Sequence, residues 1–511
     1  MLEQLLFKTV KEYPEKIAIV YDKQRISYKE LYSKVRRLSK GLSSIGISRG
    51  DCIALILPNC PEFAIAFYAA AQLGAVVVPI NHLFKEEEIR YYISDSKARL
   101  IITDKKRTQT CRNIISKLDR KIELILIDGV EQLTLYFDDL ILPEKTQELD
   151  NISSLTGDVL YQYSSGSTGK PKRVCRTLNN LYHEVNNFTE TVNITPSDKI
   201  LCIVPLYHAH GLGNCLLAAT CNGATLVMLE PVLQNGNPVE VPFVFRRQRV
   251  LELIENEKIT ILPAVPYIFN TLAEEMPDDL PVDLSTLRLC FSAGNFLAKD
   301  IFDKFFLKWK IAVRQLYGST EAGSISINLD EKPEITYDSV GSPMKNVEIK
   351  IISDESEVLP MGKIGEVVIK SQALTSGYSS MPELNQQVFK DGWFFTGDLG
   401  KKDEAGRLYI TGRKKLLIDT GGYKVDPLEI ENILMTHPQV KEAVVVGVKQ
   451  ADGRELIKAV IVTETGEKLA EKEIILFCQE RVTKYKIPRI IEFRDEIPKS
   501  PLGKILRKDL V

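Results

Sequence analysis

The alternation of two hydrophobic patterns in the first half of the chain constrains the fold most. Short runs rich in β-branched residues alternate with longer amphipathic helical patterns. This order predicts α/β layers built on largely parallel sheets. Runs such as 224–229 and 260–262 are apolar throughout, which is typical of strands that are covered on both faces. The clearest candidate strands are 52–57, 76–80, 100–103 and 124–128, and the clearest candidate helices are 28–45 and 85–94.

A change of character near residues 398–413 indicates a second domain. At 511 residues, the chain exceeds the size that one hydrophobic core normally organises. We predict a large N-terminal α/β domain at 1–402 and a small C-terminal α+β domain at 403–511, joined near 402–415. The polar stretch 142–157 is interpreted as a surface connection inside the large domain. The candidate elements of the small domain are two short strands around a turn at 404–406, a helix at 427–435, a strand at 443–448 and a helix at 471–484.

The composition excludes several classes of protein. The 66 basic and 68 acidic residues leave a net charge of −2, so no global basic field recruits nucleic acid or an anionic membrane. The nine cysteines are irregularly spaced without a C-x-x-C pair, which indicates reduced thiols rather than disulfides or a metal cluster. The N-terminus lacks a basic start followed by an apolar run. The most apolar stretch, 63–80, contains Gln72, Gly74 and Pro79 and predicts a helix and a buried strand better than a membrane span. We expect a cytoplasmic protein.

The segment 163–172, YSSGSTGKPK, is the strongest local candidate for chemistry. It holds two glycines, four serine or threonine hydroxyls and two lysines. Glycines let backbone N–H groups turn toward an anion, hydroxyls add donors and lysines add positive charge, so the composition suits a polyphosphate. It is not a Walker A loop, because Ser164 stands where that motif has glycine and Pro171 follows the lysine. Composition alone leaves a flexible surface loop as the alternative.

Further segments complete a set of motifs along the chain. They are PLYH at 205–208, YGSTE at 317–321, TGD at 396–398, GR at 412–413 running to Glu431, and PKSPLGKILR at 498–507. Together with 163–172, these segments resemble, in order and spacing, the motifs of the adenylate-forming superfamily. That superfamily includes acyl-CoA synthetases, luciferase-like enzymes and the adenylation domains of nonribosomal peptide synthetases. The resemblance covers nearly the whole chain.

The resemblance implies a fold and a reaction. The large domain is expected to contain stacked α/β sheets and a β-barrel-like subdomain, and the C-terminal domain is expected to be mobile. The implied enzyme is an AMP-forming acyl-CoA synthetase that uses ATP, Mg²⁺ and CoA. It would join a carboxylic acid to AMP with release of pyrophosphate and then form the CoA thioester. The active site is expected in the cleft between the domains.

The resemblance also assigns the nucleotide site. Thr320 would bond the α-phosphate, and Glu321 would hold Mg²⁺, a cation that prefers oxygen ligands and bridges phosphates. Alone, Glu321 would be interpreted as a solvated acid at a helix start. The β- and γ-phosphates would be held by Ser165, Gly166, Ser167, Thr168 and Gly169, with charge from Lys172.

The adenosine part of the site follows from other matched positions. Asp398 and Arg413 resemble the family's ribose-binding pair, since a carboxylate can accept from both ribose hydroxyls; alone, Asp398 would be a turn residue. Tyr317 resembles the aromatic that stacks on adenine, although an isolated tyrosine is more often a core residue. Gly294 and Asn295 fall where the family lines the adenine pocket.

The two half-reactions are assigned by resemblance to opposite ends of the small domain. Lys504 would place its charge on the carboxylate and the α-phosphate during adenylation. Rotation about Lys415 would then bring in the segment 416–425, in which Gly421 and Gly422 permit close approach of a pantetheine arm. Leu416 departs from the family pattern, because many members carry an acid there.

The residues expected around the acyl pocket narrow the chemical class of the acid substrate. His208 resembles the histidine at the mouth of the acyl pocket, His210 is a weaker candidate, and both could instead be packed or surface histidines. No acid follows Pro205 to pair with a substrate ammonium, so an amino acid is disfavoured. Asn270 lies near where relatives that use malonate-type acids place an arginine, so these acids are disfavoured too. A hydrophobic acyl or aryl tail is suggested by Leu212, Gly213, Leu216, Leu217, Ala218, Phe291 and Ala293.

The acceptor and the enzyme class leave alternatives open. CoA is the expected acceptor, and the phosphopantetheine of a carrier protein is the alternative. A non-catalytic nucleotide-binding relative would be indicated by loss of Lys504, Glu321 or Arg413, and all three are present. A P-loop kinase or ATPase would form ADP, whereas adenylation forms AMP and pyrophosphate.

Overall fold

The computed structural model describes residues 2–141, 157–164, 171–234, 237–239, 241–275, 281–413, 418–450, 454–464, 469–498 and 507–511. Its α-helices are α1 (Leu2–Glu12), α2 (Tyr28–Ser44), α3 (Pro61–Leu73), α4 (Glu86–Ser96), α5 (Thr108–Ser116), α6 (Leu178–Thr191), α7 (Ala209–Gly211), α8 (Ala218–Cys221), α9 (Arg247–Glu257), α10 (Pro266–Ala273), α11 (Lys299–Trp309), α12 (Pro382–Val388), α13 (Pro427–Leu434) and α14 (Glu471–Gln479).

The strands alternate with these helices through most of the chain. They are β1 (Ile17–Tyr21), β2 (Gln24–Ser27), β3 (Cys52–Ile56), β4 (Val76–Pro79), β5 (Leu100–Thr103), β6 (Glu123–Leu126), β7 (Leu135–Tyr136), β8 (Asp158–Ser164), β9 (Lys172–Thr177), β10 (Lys199–Cys202), β11 (Thr225–Met228), β12 (Val232–Gln234), β13 (Asn237–Val239), β14 (Ile261–Ala264), β15 (Leu289–Ser292), β16 (Val313–Ser319), β17 (Gly323–Ile327), β18 (Ser342–Pro343), β19 (Glu348–Ile352), β20 (Gly365–Lys370), β21 (Phe389–Lys390), β22 (Trp393–Lys402), β23 (Leu408–Arg413), β24 (Ile418–Asp419), β25 (Lys424–Val425), β26 (Val440–Lys449), β27 (Glu455–Thr463) and β28 (Ile490–Phe493).

Two compact units divide the chain. The large unit comprises Met1–His82, Ile93–Gln162 and Val174–Gly412, and the small unit comprises Leu83–Tyr92, Tyr163–Arg173 and Arg413–Val511. The small unit therefore includes two short segments from the first half of the sequence. The domain boundary at 402/403 stays a sequence prediction.

Two sheets with parallel cores organise the large unit. One has nine strands in the order β18-β17-β16-β15-β14-β10-β11-β1-β2, and the other has seven in the order β7-β6-β5-β3-β4-β8-β9. In the first, the strands from β16 to β1 run parallel and antiparallel strands close both edges. The prediction of largely parallel α/β sheets is confirmed, because apolar strands such as β3, β5 and β14 are buried along their whole length.

Helix α3 shows how one core serves both sheets. Nearly all of its residues are buried, and it belongs to a continuous hydrophobic cluster with strand residues such as Leu55 and Ile102 of one sheet and Ile200 and Phe291 of the other. It ends at Gly74, which has a φ of +68°, and β4 follows at once. The predicted helix and buried strand in 63–80 are thus confirmed. No described helix is long and apolar enough to span a membrane.

The remaining sheets are smaller. Strands β19, β20, β21, β22 and β23 form one five-stranded sheet in the large unit, in the region after the parallel sheets. The small unit contains a three-stranded sheet, β26-β27-β28, whose core includes Ile430 of α13 and Ile474 of α14. The large α/β part followed by a small α+β part confirms the predicted fold class. The predicted helix at 471–484 is too long, because α14 ends at Gln479 and the following Val482 and Thr483 turn into the interior.

The cysteines behave as the sequence predicts. All nine are free thiols, and eight of them are buried. Burial raises the pKa of the Cys111 and Cys221 thiols to about 12, which keeps these thiols protonated and unreactive at neutral pH. The described residues include no group of three or more His, Cys, Asp or Glu side chains arranged to hold a metal.

Candidate active site

The site is built at the carboxyl ends of parallel strands, where open α/β sheets commonly bind ligands. Strand β15 ends at Ser292 and leads to Gly294 and Asn295. Gly294 has a φ of +87°, so a side chain at this position would strain the backbone. Gly294 is exposed and Asn295 is half-buried. Their position after β15 suits the predicted role in lining an adenine pocket.

The next strand carries the residues predicted to meet the phosphates. Strands β16 and β17 form a tight antiparallel hairpin in which Ser319 pairs with Gly323, and Thr320 and Glu321 lie in its turn. Glu321 is buried, with 7% of its surface exposed. Its Oε1 accepts a hydrogen bond of 2.7 Å from the Tyr378 hydroxyl, and its backbone carbonyl accepts one of 2.8 Å from Thr375 N–H. The interpretation of Glu321 as a solvated helix-start acid is therefore wrong.

Tyr317 and Asp398 lie in direct contact. The Tyr317 hydroxyl donates a hydrogen bond of 2.6 Å to Asp398 Oδ2, although the two residues are 81 positions apart. Asp398 is 7% exposed, and its backbone N–H donates to Thr396 Oγ1 at 3.0 Å. Tyr317 is half-buried and packs against the edge of the large hydrophobic core. The structure thus brings Asp398, on β22, into contact with Tyr317 on the hairpin that carries Thr320 and Glu321.

The described residues fit a magnesium nucleotide. The hydroxyls of Ser292 and Ser319, at the ends of β15 and β16, are buried and have no hydrogen-bond partner within the described residues. Buried donors normally have partners, so these hydroxyls suit a polar ligand. Glu321 supplies a buried carboxylate in the turn that also carries Thr320. Mg²⁺ is commonly held by one or two carboxylates with substrate phosphates and water, which matches this set.

The two candidate histidines, His208 and His210, lie in different environments. His208 is exposed, begins helix α7, and accepts a hydrogen bond from His210 N–H at its Nδ1. His210 is half-buried and hydrogen-bonded: its Nε2 lies 3.2 Å from the Ala264 carbonyl, and its Nδ1 lies 3.0 Å from Asn214 Nδ2. Asn214 Oδ1 in turn accepts from Ser324 Oγ at 2.8 Å. The structure thus places His208 at the surface, whereas His210 belongs to a hydrogen-bonded chain.

His210 is expected to stay neutral over the physiological pH range. Burial, followed by the neighbouring His208, lowers the pKa of His210 to about 4. Between pH 6.5 and pH 4, His210 would be protonated in the unfolded chain and neutral in the folded protein. Proton uptake by the unfolded chain therefore lowers the free energy of unfolding as the pH falls from 6.5 toward 4. A histidine-selective NMR titration should show one of the five histidine signals titrating near pH 4. That signal should be absent in His210→Gln, and an assigned His210 signal titrating near 6.5 would contradict the prediction.

The residues predicted to form the acyl pocket lie in the hydrophobic core. Leu212–Leu217 form a π-helical turn between α7 and α8, a distortion of the kind often found at functional sites. The Phe291 ring lies 5.7 Å from the His210 ring, edge to face. Asn270 of α10 donates to Glu274, the residue that follows the helix. The predicted apolar residues are all buried: Leu212, Gly213, Leu216, Leu217, Ala218, Phe291 and Ala293.

The small unit holds the residues predicted for the thioester step. Gly421 and Gly422 lie in the β24–β25 hairpin with φ values of +89° and +98°. Their backbone N–H groups both donate to Asp419 Oδ1, at 2.9 and 3.0 Å, so Asp419 shapes this loop. Sequence reasoning missed Asp419, whose position two residues before the glycines is typical of an Asx turn.

The end of the terminal motif is anchored in the small unit. Arg507 donates to both carboxylate oxygens of Glu431, at 2.7 and 3.1 Å, and to the Val445 carbonyl at 2.6 Å. The predicted Ser165, Gly166, Ser167, Thr168, Gly169, Lys415, Leu416 and Lys504 lie outside the described residues, as does the side chain of Arg413. Lys172 begins β9 and is half-buried.

A surface cavity of the small unit is not a candidate binding site for the carboxylic acid substrate. It has a volume of about 580 Å³, and its lining includes Glu87, Glu88, Glu429 and Glu480. Carboxylates would repel both a carboxylic acid substrate and a polyphosphate. None of the predicted site residues lines it.

The chain matches known proteins over most of its length. The family described as AMP-binding enzyme matches residues 6–379, and the AMP-binding enzyme C-terminal domain matches residues 429–504. The chain is 33% identical over 497 residues to 4-coumarate–CoA ligase 3 of Oryza sativa subsp. japonica, covering 95% of this chain and 86% of the relative. It is 30% identical over 545 residues to a long-chain-fatty-acid–CoA ligase of Bacillus subtilis, covering 100% and 94%.

A solved structure agrees with the fold. The o-succinylbenzoate CoA synthetase of Bacillus subtilis, solved as a double mutant with a product analogue, superimposes with a TM-score of 0.86 at 27% identity, covering 99% of this chain and 98% of that one. The resemblance to the acyl-CoA synthetases predicted from the sequence motifs is confirmed. The chain belongs to the AMP-binding enzyme family.

Proposed function

We propose that the protein is an AMP-forming acid–thiol ligase that activates a carboxylic acid with ATP and Mg²⁺ and transfers the acyl group to CoA. The observation that supports this most is the 2.6 Å bond between Tyr317 and Asp398, adjacent along the hairpin to Thr320 and Glu321. The hairpin carries Tyr317, Thr320 and Glu321, and Asp398 of β22 contacts it, so groups for an adenosine lie beside groups for its phosphates. The matches to CoA ligases along nearly the whole chain support the same reaction.

The chemistry assigns one role to each group. A carboxylate oxygen of the acid attacks the α-phosphorus, the bond to pyrophosphate breaks, and the acyl-adenylate remains bound. Thr320 stabilises the α-phosphate by hydrogen bonding, and Lys504 offsets the charge of the carboxylate and the phosphate. Glu321 would hold Mg²⁺, which when bound neutralises charge on the phosphate oxygens. The CoA thiol, with loss of its proton, then attacks the acyl carbon, and AMP leaves.

The acid is proposed to carry an apolar or aryl tail. The polar side chains near His210 use their hydrogen bonds on one another, since His210, Asn214 and Ser324 form one chain. A tail that lacks polar groups leaves none of these hydrogen bonds unmade. The surrounding residues, such as Leu212 and Phe291, are apolar. The named relatives are a 4-coumarate–CoA ligase and a long-chain-fatty-acid–CoA ligase, one for an aryl acid and one for an apolar acyl chain.

Pyrophosphate release tests the proposal. The protein would be assayed with ATP, Mg²⁺ and a panel of short to long fatty acids, aryl acids and amino acids, each with and without CoA. We expect acid-dependent pyrophosphate that increases with CoA, together with AMP and an acyl-CoA product. Acid-dependent pyrophosphate that is indifferent to CoA would favour a carrier-protein acceptor. ADP in place of AMP, or turnover of amino acids alone, would contradict the proposal.

A further inference from the structure

A buried ion pair lies directly behind the Thr320–Glu321 turn. Arg176, on β9, has no exposed surface, and Glu184, on α6, is 4% exposed. Arg176 Nη2 donates to Glu184 Oε2 at 2.7 Å. A buried ion pair generally contributes little net stability compared with an apolar pair of similar volume, because both charges lose their hydration. Its presence here therefore calls for a role beyond holding the fold.

The arginine bonds to the site itself. Arg176 Nη1 donates to the backbone carbonyl of Thr320 at 2.9 Å, and Nη2 donates to the Ala373 carbonyl at 3.0 Å. Ala373 lies two residues before Thr375, whose N–H donates to the Glu321 carbonyl. One guanidinium thus holds both the turn and the segment that supports it.

Glu184 also packs against this turn. A Cβ atom on Gly323, the residue that closes the turn, would come within 2.2 Å of Glu184 Cδ. A Cβ atom on Gly213, in the π-helical turn, would come within 2.4 Å of Glu184 Oε1. Gly323 has a φ of +69°, which glycine adopts at little cost. The carboxylate therefore fills the space that two glycines leave open, and it fixes the guanidinium against the turn.

We propose that Arg176, held by Glu184, is a positioning residue for adenylation that fixes Thr320 and Glu321 for the ATP phosphates and Mg²⁺. This inference rests on the proposed function of these two residues. The guanidinium is planar and has five donors, so it can hold two carbonyls and a carboxylate in one geometry. A lysine or an apolar side chain at this position could not do so.

The test separates positioning from folding by using two variants. Arg176→Met leaves Glu184 buried without its partner, and the double variant Arg176→Met/Glu184→Met removes both charges. We expect the single variant to lower Tm and the double variant to recover most of that loss, because an apolar pair can replace a buried ion pair. Both variants should lose about tenfold or more in kcat for acid-dependent pyrophosphate release, since a misplaced catalytic geometry can cost up to about 10²-fold. The KM for the acid should change little.

A second readout is independent of turnover. Calorimetry with a non-hydrolysable ATP analogue, with and without Mg²⁺, should show that both variants lose most of the increase in affinity that Mg²⁺ gives the wild-type protein. The matched control is Arg247→Met, which removes another buried arginine. Arg247 donates hydrogen bonds to the carbonyls of Thr271, on α10, and Glu274, which follows α10. That variant should have a lower Tm, but kcat and the increase in nucleotide affinity caused by Mg²⁺ should stay at the wild-type values.

The results distinguish a role of Arg176 in positioning the site from a role in stabilising the fold. Recovery of kcat together with Tm in the double variant would overturn the inference, and so would an unchanged Mg²⁺ effect on nucleotide affinity. A wild-type protein that released no pyrophosphate with any acid would contradict the proposed function. The nucleotide affinities of the variants would still test whether Arg176 positions the site.

Discussion

Glu321→Gln is expected to lower kcat for acid-dependent pyrophosphate release by about 10²- to 10³-fold, the usual effect of removing one group that stabilises transition-state charge. The substitution keeps the size of the side chain and an oxygen that can accept from Tyr378. It removes the negative charge that would hold Mg²⁺. The Mg²⁺ concentration for half-maximal rate should therefore rise, and the measurement is a Mg²⁺ titration of pyrophosphate release at saturating ATP and acid.

Tyr378→Phe provides the matched comparison. It keeps the Glu321 carboxylate and removes the hydroxyl that donates to it at 2.7 Å. The loss of one orienting hydrogen bond should cost about 10-fold in kcat, less than the loss of the charge. If Glu321→Gln retained the wild-type rate and Mg²⁺ requirement, Glu321 would have no role in holding the metal. Equal losses in the two variants would indicate that orientation, and not charge, is what Glu321 contributes.

The sequence predicts the parts of this molecule that depend on local pattern. Alternating apolar runs predict the parallel strands, because a strand that is covered on both faces must be apolar throughout. The motif at 317–321 predicts by resemblance that Thr320 and Glu321 serve one nucleotide, and the structure places both in the turn between β16 and β17. Tyr317 and Asp398, which were assigned to the same nucleotide by resemblance alone, are joined by a hydrogen bond.

The parts that escaped prediction depend on contacts between residues far apart in the sequence. Tyr378 supports Glu321 across 57 positions, and Arg176 reaches Thr320 across 144. No local signal marks these partners, since a lone tyrosine or arginine in a strand pattern has many possible positions. The partners of His210 escaped prediction for the same reason: only the fold shows that Asn214 and the Ala264 carbonyl lie beside it. The sequence of β9, KRVCRT, contains one lysine and two arginines, so nothing in it marks Arg176 as the fully buried one.

Lys504→Ala is expected to lower adenylation by about 10²-fold or more and to leave thioester formation from supplied acyl-adenylate nearly unchanged. The physical reason is that a point charge on the attacking carboxylate and the α-phosphate matters only while the bond to phosphorus forms. In the second half-reaction AMP is the leaving group, and the proposed mechanism assigns that step to the segment containing Gly421 and Gly422. The measurement is pyrophosphate release for the first step and acyl-CoA formation from synthetic acyl-adenylate for the second.

Arg507 supplies the control for this prediction, because it lies three residues after Lys504 and its side chain is anchored on Glu431 and Val445 inside the small unit. Arg507→Lys keeps a positive charge but cannot donate to both Glu431 oxygens and the Val445 carbonyl in one plane. It should loosen the terminal motif and impair adenylation less than Lys504→Ala, again with thioester formation retained. Equal loss of both half-reactions in Lys504→Ala would overturn the assignment of the two steps to different parts of the small unit, since one lysine would then serve both. Loss confined to adenylation in both variants would show that the terminal motif acts in the first step and that its anchor on Glu431 controls how well it does so.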